Sequence, residues 1–501
     1  MSGQRPVVPG FHPDPSICRV GDTYWLVTSS FEYAPGVPLF RSDDLRSWEQ
    51  AGHVLDRPSQ LDVSAAGPSG GVFAPTLRYH DGRFWMITTN WSDEGGQLLV
   101  WADDPAGPWS EPVRIPGAIG IDPDLAWDDA GTCLMTYAGF GPNGGEGIVQ
   151  SAIDPLTGEV LTERRWIWSG TGGKFPEGPH LYRIGDWWYL LIAEGGTERG
   201  HAVTIARGPS PQGPFEASPN GPLVTHRGTD LPVQNTGHAD LVQRPDGSWA
   251  LVYHGVRPRG SSPEWHVLGR ETFADEIGWR DGWPVVTGHV EPATAADAVV
   301  REELSGRELP PSWVAASAFP EEVLSHAEGG RLVRPVGDRP GFAGRRQEHL
   351  YARARARVSV DGVGGLSVRI DPRHALDLEV DGGVVRAVWA VGDVRHVLGE
   401  RPVDGEVELG FRMAPTEGHE FSTARGPDRV LAGVEGPDGL EVLGEVDGRY
   451  VSTEVAGGMT GRLVGVWCAR GAVVLRSFEY AGSDDPAVVG GGPAGPEPWA
   501  R

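Results

Sequence analysis

The stretch DPSICRVGDTYWLVTSS, residues 14–30, decides the fold, because its layout returns four more times before residue 300. Each copy begins with a short strand that carries Ile or Leu, continues through a polar turn, and ends in an aromatic-rich apolar strand. The other copies are APTLRYHDGRFWMITTN from residue 74, DPDLAWDDAGTCLMTYA from 122, GPHLYRIGDWWYLLIAE from 178 and HADLVQRPDGSWALVYH from 238. Alternating apolar strands around an Asp/Gly turn are typical of a β-hairpin.

A second strand–turn–strand segment follows most of these hairpins. Examples are LFRSDDLRSWEQAGHVL (39–55), LVWADDPAGPWSEPVRI (99–115), VTIARGPSPQGPFEA (203–217) and LGRETFADEIGWRDGWPVV (268–286). Four strands in each of five units predict a five-bladed β-propeller, in which radial repetition leaves only short sheet edges. The copies start 48 to 60 residues apart. WD-type blades repeat every ~40–45 residues, so the longer period favours the blades of sugar-processing enzymes over those of protein-interaction propellers.

The composition excludes several classes of protein. The 501 residues include 73 Gly and 43 Pro, which disfavours long helices. A net charge of −25 makes nucleic acid an unfavourable partner. No apolar run reaches the ~18 residues of a membrane span. The three cysteines, Cys18, Cys133 and Cys468, are too far apart for a disulfide framework or a thiolate metal site. The N-terminal residues show no secretory signal, so we expect a cytoplasmic protein.

The repeat brings chemical groups together at the propeller axis. The first strand of each blade lines the central channel, so equivalent residues converge there. Just before that strand the five copies carry Asp14, Ala74, Asp122, Gly178 and His238. Glu177 is one residue out of register, which places it at the rim. Burying several carboxyl groups of like charge close together is unfavourable, so their presence indicates a role in binding or catalysis. Two carboxyl groups across a pocket can cleave a glycosidic bond, and a third raises the pKa of the acid.

Several motifs, in order along nearly the whole chain, resemble glycoside hydrolase family 43. The motifs are GFHPDPSICRVGDTYWLVTSSFEYAPGVPLFRSDDL, SGGVFAP, IGIDPDL, FPEGPHLY, EGGTERGHAVTIARG, NTGHADLV, LGRETF and VSTEVAGGMTGRLVGVW. The branch they resemble contains β-xylosidases and α-L-arabinofuranosidases with an added β-sandwich. The resemblance implies an inverting, exo-acting enzyme that removes terminal β-D-xylosyl or α-L-arabinofuranosyl residues from xylan- or arabinan-derived oligosaccharides.

The resemblance also implies roles for single residues. Asp14 is the expected general base, Glu177 the general acid, and Asp122 the carboxylate that tunes and orients the acid. Arg270 resembles an arginine that binds sugar hydroxyls. His238 resembles an axial histidine that hydrogen-bonds in the channel or faces a divalent ion. This chemistry requires no cofactor. Whether a structural Ca²⁺ binds in the channel is left open.

Aromatic and lid residues are expected to shape the sugar pocket. Phe31 and Phe73 offer faces for the C–H side of a sugar ring. Phe73 stands where many relatives have Trp, Thr76 where they often have Asp, and Met459 where Phe is common in a loop from the sandwich. These departures do not affect the expected catalytic residues, but the identity of the terminal sugar that is removed is left open.

The second half of the chain changes character. Around residues 292–325 the aromatic β-pattern stops and Ala, Glu and Pro become frequent. Alternation with period 2 returns in YARARARVSV, LSVRI, LDLEV and VVRAVWAV, which predicts an antiparallel sandwich. We therefore expect an all-β chain: a propeller catalytic domain (1–300), a linker or start of the second domain (301–325), a concanavalin-like β-sandwich (326–484) and a disordered tail (485–501).

Two other functions remain open from the sequence. One is a glycosidase of another furanose specificity, such as galactofuranose. The other is a sugar-binding propeller without catalytic activity. A small oligosaccharide is the expected partner in every case, neither nucleic acid nor a membrane is expected, and the oligomeric state is left open, a homo-oligomer included.

Overall fold

A computed structural model describes residues 4–93, 96–141, 145–293, 298–302, 309–416 and 425–486. These residues are almost entirely β and divide into two compact units. The first unit takes His12–Val256, Glu271–Ala293 and an N-terminal segment that ends at Val8. The second takes Pro9–Phe11, Arg257–Arg270 and the described residues after 293. Among the described residues, no helix has the length and apolarity that crossing a membrane requires.

The first unit confirms the predicted five-bladed propeller, with four antiparallel strands in each blade. The strands of the five blades, with the short strand β3 (Tyr33–Ala34) outside them, are β1 (Ser16–Val20), β2 (Thr23–Val27), β4 (Gly36–Ser42) and β5 (Glu49–Leu55); β6 (Thr76–His80), β7 (Arg83–Thr89), β8 (Gln97–Ala102) and β9 (Val113–Ile115); β10 (Gly120–Trp127), β11 (Cys133–Phe140), β12 (Glu146–Ile153) and β13 (Arg165–Trp168); β14 (Glu177–Ile184), β15 (Trp187–Glu194), β16 (Ala202–Gly208) and β17 (Glu216–Ala217); β18 (Gln234–Gln243), β19 (Trp249–Val256), β20 (Glu271–Arg280) and β21 (Trp283–His289). The first strands β1, β6, β10, β14 and β18 contact one another in ring order and line the axis.

Local sequence explains the hairpins and the packing between blades. The β6–β7 turn is Asp81-Gly82, with φ of 49° and 78°, and two positive φ angles match the twist of a two-residue hairpin. Apolar residues from neighbouring blades share cores, for example Leu125 of β10 with Ile87 of β7. The hydrophobic core of the propeller therefore lies between adjacent blades.

The N-terminal segment attaches to the fifth blade. The backbone N of Val7 donates to the carbonyl of Thr272 at 2.8 Å, and Val8 forms a bridge with the same residue. Gln4 Nε2 donates to the hydroxyl of Tyr253 at 2.8 Å. Because β1 belongs to the first blade, this segment ties the start of the ring to its end.

The second unit is also all β, apart from three short helical turns. These turns are α1 (Pro320–Val323), α2 (Thr453–Ala456) and a 3₁₀ turn (Gly448–Val451). Its strands are β22 (Ala298–Glu302), β23 (Val314–Ala316), β24 (Leu324–Ala327), β25 (Gly330–Val333), β26 (Gly341–Arg346), β27 (Tyr351–Asp371), β28 (His374–Asp381), β29 (Val384–Val391), β30 (Val394–Pro402), β31 (Val407–Ala414), β32 (Arg429–Gly436), β33 (Gly439–Asp447) and β34 (Leu463–Ser483).

Two strands of 21 residues, β27 and β34, run through both layers of this unit. The C-terminal half of β27 pairs with β28, and its N-terminal half pairs with β31. Register shifts near residues 357 and 363 mark where the paired strands bend. The core between the layers contains Leu376 from one side and Phe411 from the other.

The structure divides the chain differently from the ranges expected from sequence. Arg257–Arg270, within the expected propeller range, belongs to the second unit by its contacts. Residues 301–325 include β23 and α1, and β22 already pairs with β34. These strands were not visible in the sequence because they are short and lack aromatic alternation. The predicted disordered tail, residues 485–501, lies outside the described residues from 487 onward.

Candidate functional site

Four of the five equivalent repeat positions share one unusual backbone conformation. Asp14, Asp122, Gly178 and His238 have φ of 56°, 56°, 57° and 46°. Strand pairing is interrupted at the last three of them by register shifts in β10, β14 and β18. A positive φ costs a residue with a Cβ about 1–2 kcal/mol. Such strain, repeated at one position around a channel, is typical of residues whose side chains are aimed for function.

Asp14 is a buried carboxyl group held by several partners. Its Oδ2 accepts a hydrogen bond from Ser29 Oγ at 2.6 Å. Its Oδ1 lies 3.0 Å from His254 Nδ1 and 3.6 Å from His238 Nδ1. The backbone N of Asp14 also lies 3.2 Å from His254 Nδ1. A carboxylate fixed in this way presents a defined lone pair, which a general base requires.

A chain of contacts joins the three acidic positions predicted from the sequence. His238, beside Asp14, packs on Gly178, where a Cβ would lie only 3.0 Å from His238 Cε1. The backbone N of Gly178 donates to Asp122 Oδ2 at 3.0 Å. Since Glu177 directly precedes Gly178, Asp122 fixes the backbone that carries Glu177. Glycine is favoured at 178 both by the positive φ and by the imidazole.

Glu177 is half-buried and opens onto an aromatic cleft. We use this name for the depression bordered by Phe73, Trp91, Phe140 and Phe175, which Glu177 also lines. Phe31, predicted as a sugar-facing residue, is buried behind Phe73, with ring centroids 5.3 Å apart. Phe73 in turn stacks on Trp91, with centroids 5.9 Å apart and planes 17° from parallel. Thus an aromatic row runs from the interior to the surface beside Glu177.

A network of charges surrounds the axis two to four residues further along the first strands. The guanidinium of Arg78 lies 2.7 Å from the carboxylates of both Asp124 and Asp240. The same guanidinium lies 2.7 Å from His180 Nδ1, and Tyr182 donates its hydroxyl to Asp240. Burial alone would raise the pKa of Asp240, but Arg78 and His180 outweigh it and hold the pKa at about 2. Burial would lower the pKa of Arg78, but Asp240 and Asp124 raise it above its ordinary value.

This network bears on the calcium ion that the resemblance left open. Arg78 already places a positive charge between Asp124 and Asp240, so a second cation there would be repelled. These residues therefore do not fit a calcium ion, and an ion that faces His238, the position indicated by the resemblance, stays a prediction. Within the described ranges, no cluster of three or more His, Cys, Asp or Glu side chains is arranged to hold a metal.

Two predicted substrate-binding residues lie in the second unit. Arg270 is buried at the end of Arg257–Arg270, the segment between β19 and β20. Met459 follows α2 and is 36% exposed. Their roles toward a sugar stay predictions. Thr76, the other departure from the family pattern, is buried at the start of β6.

Sequence reasoning did not single out several residues that the structure places at the site. His254, which contacts Asp14, is the last residue of the fifth repeat copy, at the opposite end of the hairpin from His238. Trp91 directly follows the second repeat copy, which ends at Asn90, and Phe175 is the first residue of the motif FPEGPHLY. The ion pairs of Arg78 join residues of three blades. Equivalent positions two residues after the first ring, such as Asp124 and Asp240, were a signal that could have found this network.

Comparison with known proteins identifies the family of the chain. The family model for glycosyl hydrolases family 43 matches residues 3–284. A protein of Bacteroides ovatus named non-reducing end α-L-arabinofuranosidase BoGH43B is 36% identical over 512 aligned residues, covering 93% of this chain and 91% of that protein. A protein of Butyrivibrio fibrisolvens named xylosidase/arabinosidase is 48% identical over 296 residues, 56% of each chain.

The fold also matches solved structures over most of its length. The crystal structure of xylan β-1,4-xylosidase from Bacillus halodurans C-125 superposes with a TM-score of 0.84 at 28% sequence identity. The match covers 95% of this chain and 99% of that one.

Proposed function

The chain belongs to family 43 of the glycosyl hydrolases, and on that premise we propose that it is an inverting exo-glycosidase. Its substrates are terminal β-D-xylosyl or α-L-arabinofuranosyl residues of xylan- or arabinan-derived oligosaccharides. The observation that carries the proposal is the contact chain from Asp14 through His238 and Gly178 to Asp122, with Glu177 beside it.

The environments of the two carboxyl groups support different roles. Asp14 accepts a hydrogen bond from Ser29 and faces two imidazoles, which suits an ionised base that takes a proton from water. Glu177 lines a cleft together with Phe73, Trp91, Phe140 and Phe175, and we assign it the role of proton donor. Glu177 would then protonate the leaving oxygen while water attacks the other face of the sugar. Inverting enzymes separate the two groups by roughly 6.5–9.5 Å to admit that water.

The name of one relative supports an exo mode of action. The Bacteroides ovatus protein is named a non-reducing end α-L-arabinofuranosidase, an enzyme that acts on the end of a chain.

The names of relatives support activity on both xylosides and arabinofuranosides. One relative is named as an arabinofuranosidase, one as a xylosidase/arabinosidase, and one solved structure as a xylosidase. We propose that Phe73, which lines the cleft beside Glu177 and stands where many relatives have Trp, affects the preference between them.

A panel of 4-nitrophenyl glycosides tests the proposal. We expect turnover of the β-D-xyloside, the α-L-arabinofuranoside or both, and a loss of kcat by about 10²–10⁴-fold in Asp14→Asn with little change in sugar binding. Turnover confined to the galactofuranoside would replace the proposed specificity. Sugar binding without turnover on the whole panel would instead identify a binding propeller.

A further inference from the structure

Glu194 is a buried carboxyl group that the proposed reaction does not use. It is the last residue of β15 and is 2% exposed. Its partners among the described residues are hydrogen-bond donors without charge. Burying a carboxylate is unfavourable unless hydrogen bonds compensate for the lost water, so the partners of Glu194 indicate its role.

The Glu194 carboxylate accepts four hydrogen bonds, three of them from one segment of the chain. Oε1 accepts from the backbone N of Thr171 at 2.8 Å and from that of Gly173 at 3.0 Å. Oε2 accepts from the hydroxyl of Thr171 at 2.7 Å, and from the hydroxyl of Thr204, on β16, at 2.7 Å. An ionised carboxyl group can accept about four hydrogen bonds, so this one is saturated. Glu194 therefore ties residues 171–173 to the sheet of the fourth blade.

The segment that Glu194 binds, residues 169–176, is irregular. It connects β13 to β14, and residues 171–175 are exposed. Gly170 and Phe175 have φ of 75° and 53°. A Cβ at Gly170 would lie 2.4 Å from Oε1 of Glu194, so the backbone passes close to the carboxylate. Exposed connections of this kind are ordinarily mobile, and the hydrogen bonds of Glu194 restrict this one.

This segment ends directly before Glu177, the proposed acid. Glu177 pairs in register with Ala193, the residue before Glu194. On the other side of Glu177, Asp122 holds the backbone N of Gly178. Two carboxylates thus fix the chain on both sides of the acid.

We propose that Glu194 is a positioning residue for Glu177: it holds residues 169–176 so that the carboxyl group of Glu177 is aligned with the leaving oxygen of the substrate. This inference rests on the proposed function, in which Glu177 donates a proton to that oxygen. Glu194 takes no part in the proton transfer itself. Its removal would release the segment, including Phe175 of the aromatic cleft, and would impair the protonation of the leaving group.

Substrates that differ in their need for protonation test this role. An ethyl pentoside releases a strongly basic alkoxide and depends on Glu177, whereas a 4-nitrophenyl pentoside depends on it little. Misplacing a catalytic group by ~1 Å can lower a rate about 10²-fold, so Glu194→Ala should lower kcat/KM for the ethyl pentoside by about that factor. The 4-nitrophenyl pentoside should lose less than about 10-fold.

Two milder variants test the same role if Glu194→Ala does not fold. Glu194→Gln keeps one acceptor oxygen for the two backbone N–H groups. Its loss on the ethyl pentoside should be smaller than that of Glu194→Ala but still larger than its loss on the 4-nitrophenyl pentoside. Thr171→Val, at an exposed residue, removes one hydrogen bond to Oε2 and should lower kcat/KM severalfold for the ethyl pentoside alone.

Thr162→Val is the matched control for Thr171→Val. Thr162 is exposed in the connection between β12 and β13, and its hydroxyl accepts a hydrogen bond from the backbone N of Ala152 at 2.9 Å. Its replacement should lower the thermal unfolding midpoint and leave the ratio of the kcat/KM values for the two substrates unchanged.

The outcomes separate this inference from the proposed function. Equal losses on both substrates in the Glu194 and Thr171 variants, or no loss, would overturn the inference and spare the proposed function. Native protein that hydrolyses the 4-nitrophenyl pentoside but not the ethyl pentoside would show no proton donation for Glu194 to support, which also overturns the inference. If the native protein hydrolyses no glycoside of the nitrophenyl panel, the proposed function fails and the inference fails with it.

Discussion

His254 Nδ1 lies 3.0 Å from Oδ1 of Asp14, and the histidine is fully buried. With its proton on Nδ1 the ring donates to the carboxylate. With Nδ1 unprotonated it accepts from the backbone N of Asp14, 3.2 Å away. In either form the imidazole restricts the orientation of Asp14, so His254 is a positioning residue for the proposed base.

Replacing His254 should therefore impair catalysis more than folding. A hydrogen bond to a charged group contributes ~1.5–3 kcal/mol, so we expect His254→Leu to lower kcat by about 10–100-fold. His254→Asn, which keeps a polar group near the position of Nδ1, should recover part of the loss. His289→Leu, at an exposed histidine paired with Asp275, should leave kcat unchanged. A wild-type kcat in His254→Leu would remove the positioning role.

The role of Glu177 as the proton donor can be tested by varying the basicity of the leaving group. Glu177→Gln cannot donate a proton, so hydrolysis of unactivated alkyl pentosides should fall by about 10²–10⁴-fold. Nitrophenyl pentosides need little protonation and should lose far less. The measurement is kcat/KM across leaving groups of graded basicity. Equal losses across the series would show that Glu177 is not the acid.

Gly178 and Gly185 form a matched pair at the two ends of β14. Both have positive φ, 57° and 59°, but only Gly178 faces a side chain, the imidazole of His238. Gly185→Ala, with open space around its Cβ, should cost about 1 kcal/mol of stability and leave kcat intact. Gly178→Ala should lower the stability by at least as much and also lower kcat about 10-fold, because His238 must move by a few tenths of an ångström. Thermal unfolding midpoints and kcat of the two variants test this prediction. Equal kcat values in the two variants would contradict it.

The parts of the fold and of the site that the sequence predicted are those whose sequence pattern recurs in the five repeat copies. The five hairpin copies predicted the blades and placed Asp14, Asp122 and His238 at equivalent positions. The backbone twist shared by these positions could not be seen, because glycine marks it only at Gly178. The contact of His254 with Asp14 joins the first and fifth blades, and pairing across a ring closure leaves no local pattern. Similarly, the strands of the second unit between 298 and 325 are short and follow no alternation that the sequence displays.

The ion pair of Asp240 with Arg78 predicts a specific response to acid. The pKa of Asp240 is about 2 in the folded protein, below the ordinary value of ~3.9. Its contribution to stability is therefore complete above about pH 4 and is lost as the pH falls toward 2.

Asp240→Asn tests this contribution. Breaking a buried pair costs about 3–5 kcal/mol, so the variant should unfold at a lower temperature at pH 7, and the difference should narrow below pH 4. Asp246→Asn, at an exposed carboxylate in the β18–β19 turn, should not shift the midpoint. If the difference in unfolding temperature between Asp240→Asn and the native protein stayed constant down to pH 2, the low pKa of Asp240 would be contradicted.

The stereochemistry of the first product tests most directly whether Asp14 and Glu177 act on opposite faces of one sugar. Proton NMR can follow the anomeric signals during the first minutes of hydrolysis of the best nitrophenyl pentoside, before mutarotation equilibrates them. We predict that the anomer opposite to that of the substrate appears first, for example α-xylose from a β-xyloside. First release of the anomer with the substrate's own configuration would contradict the account, because it would require a covalent intermediate in place of the water that Asp14 activates.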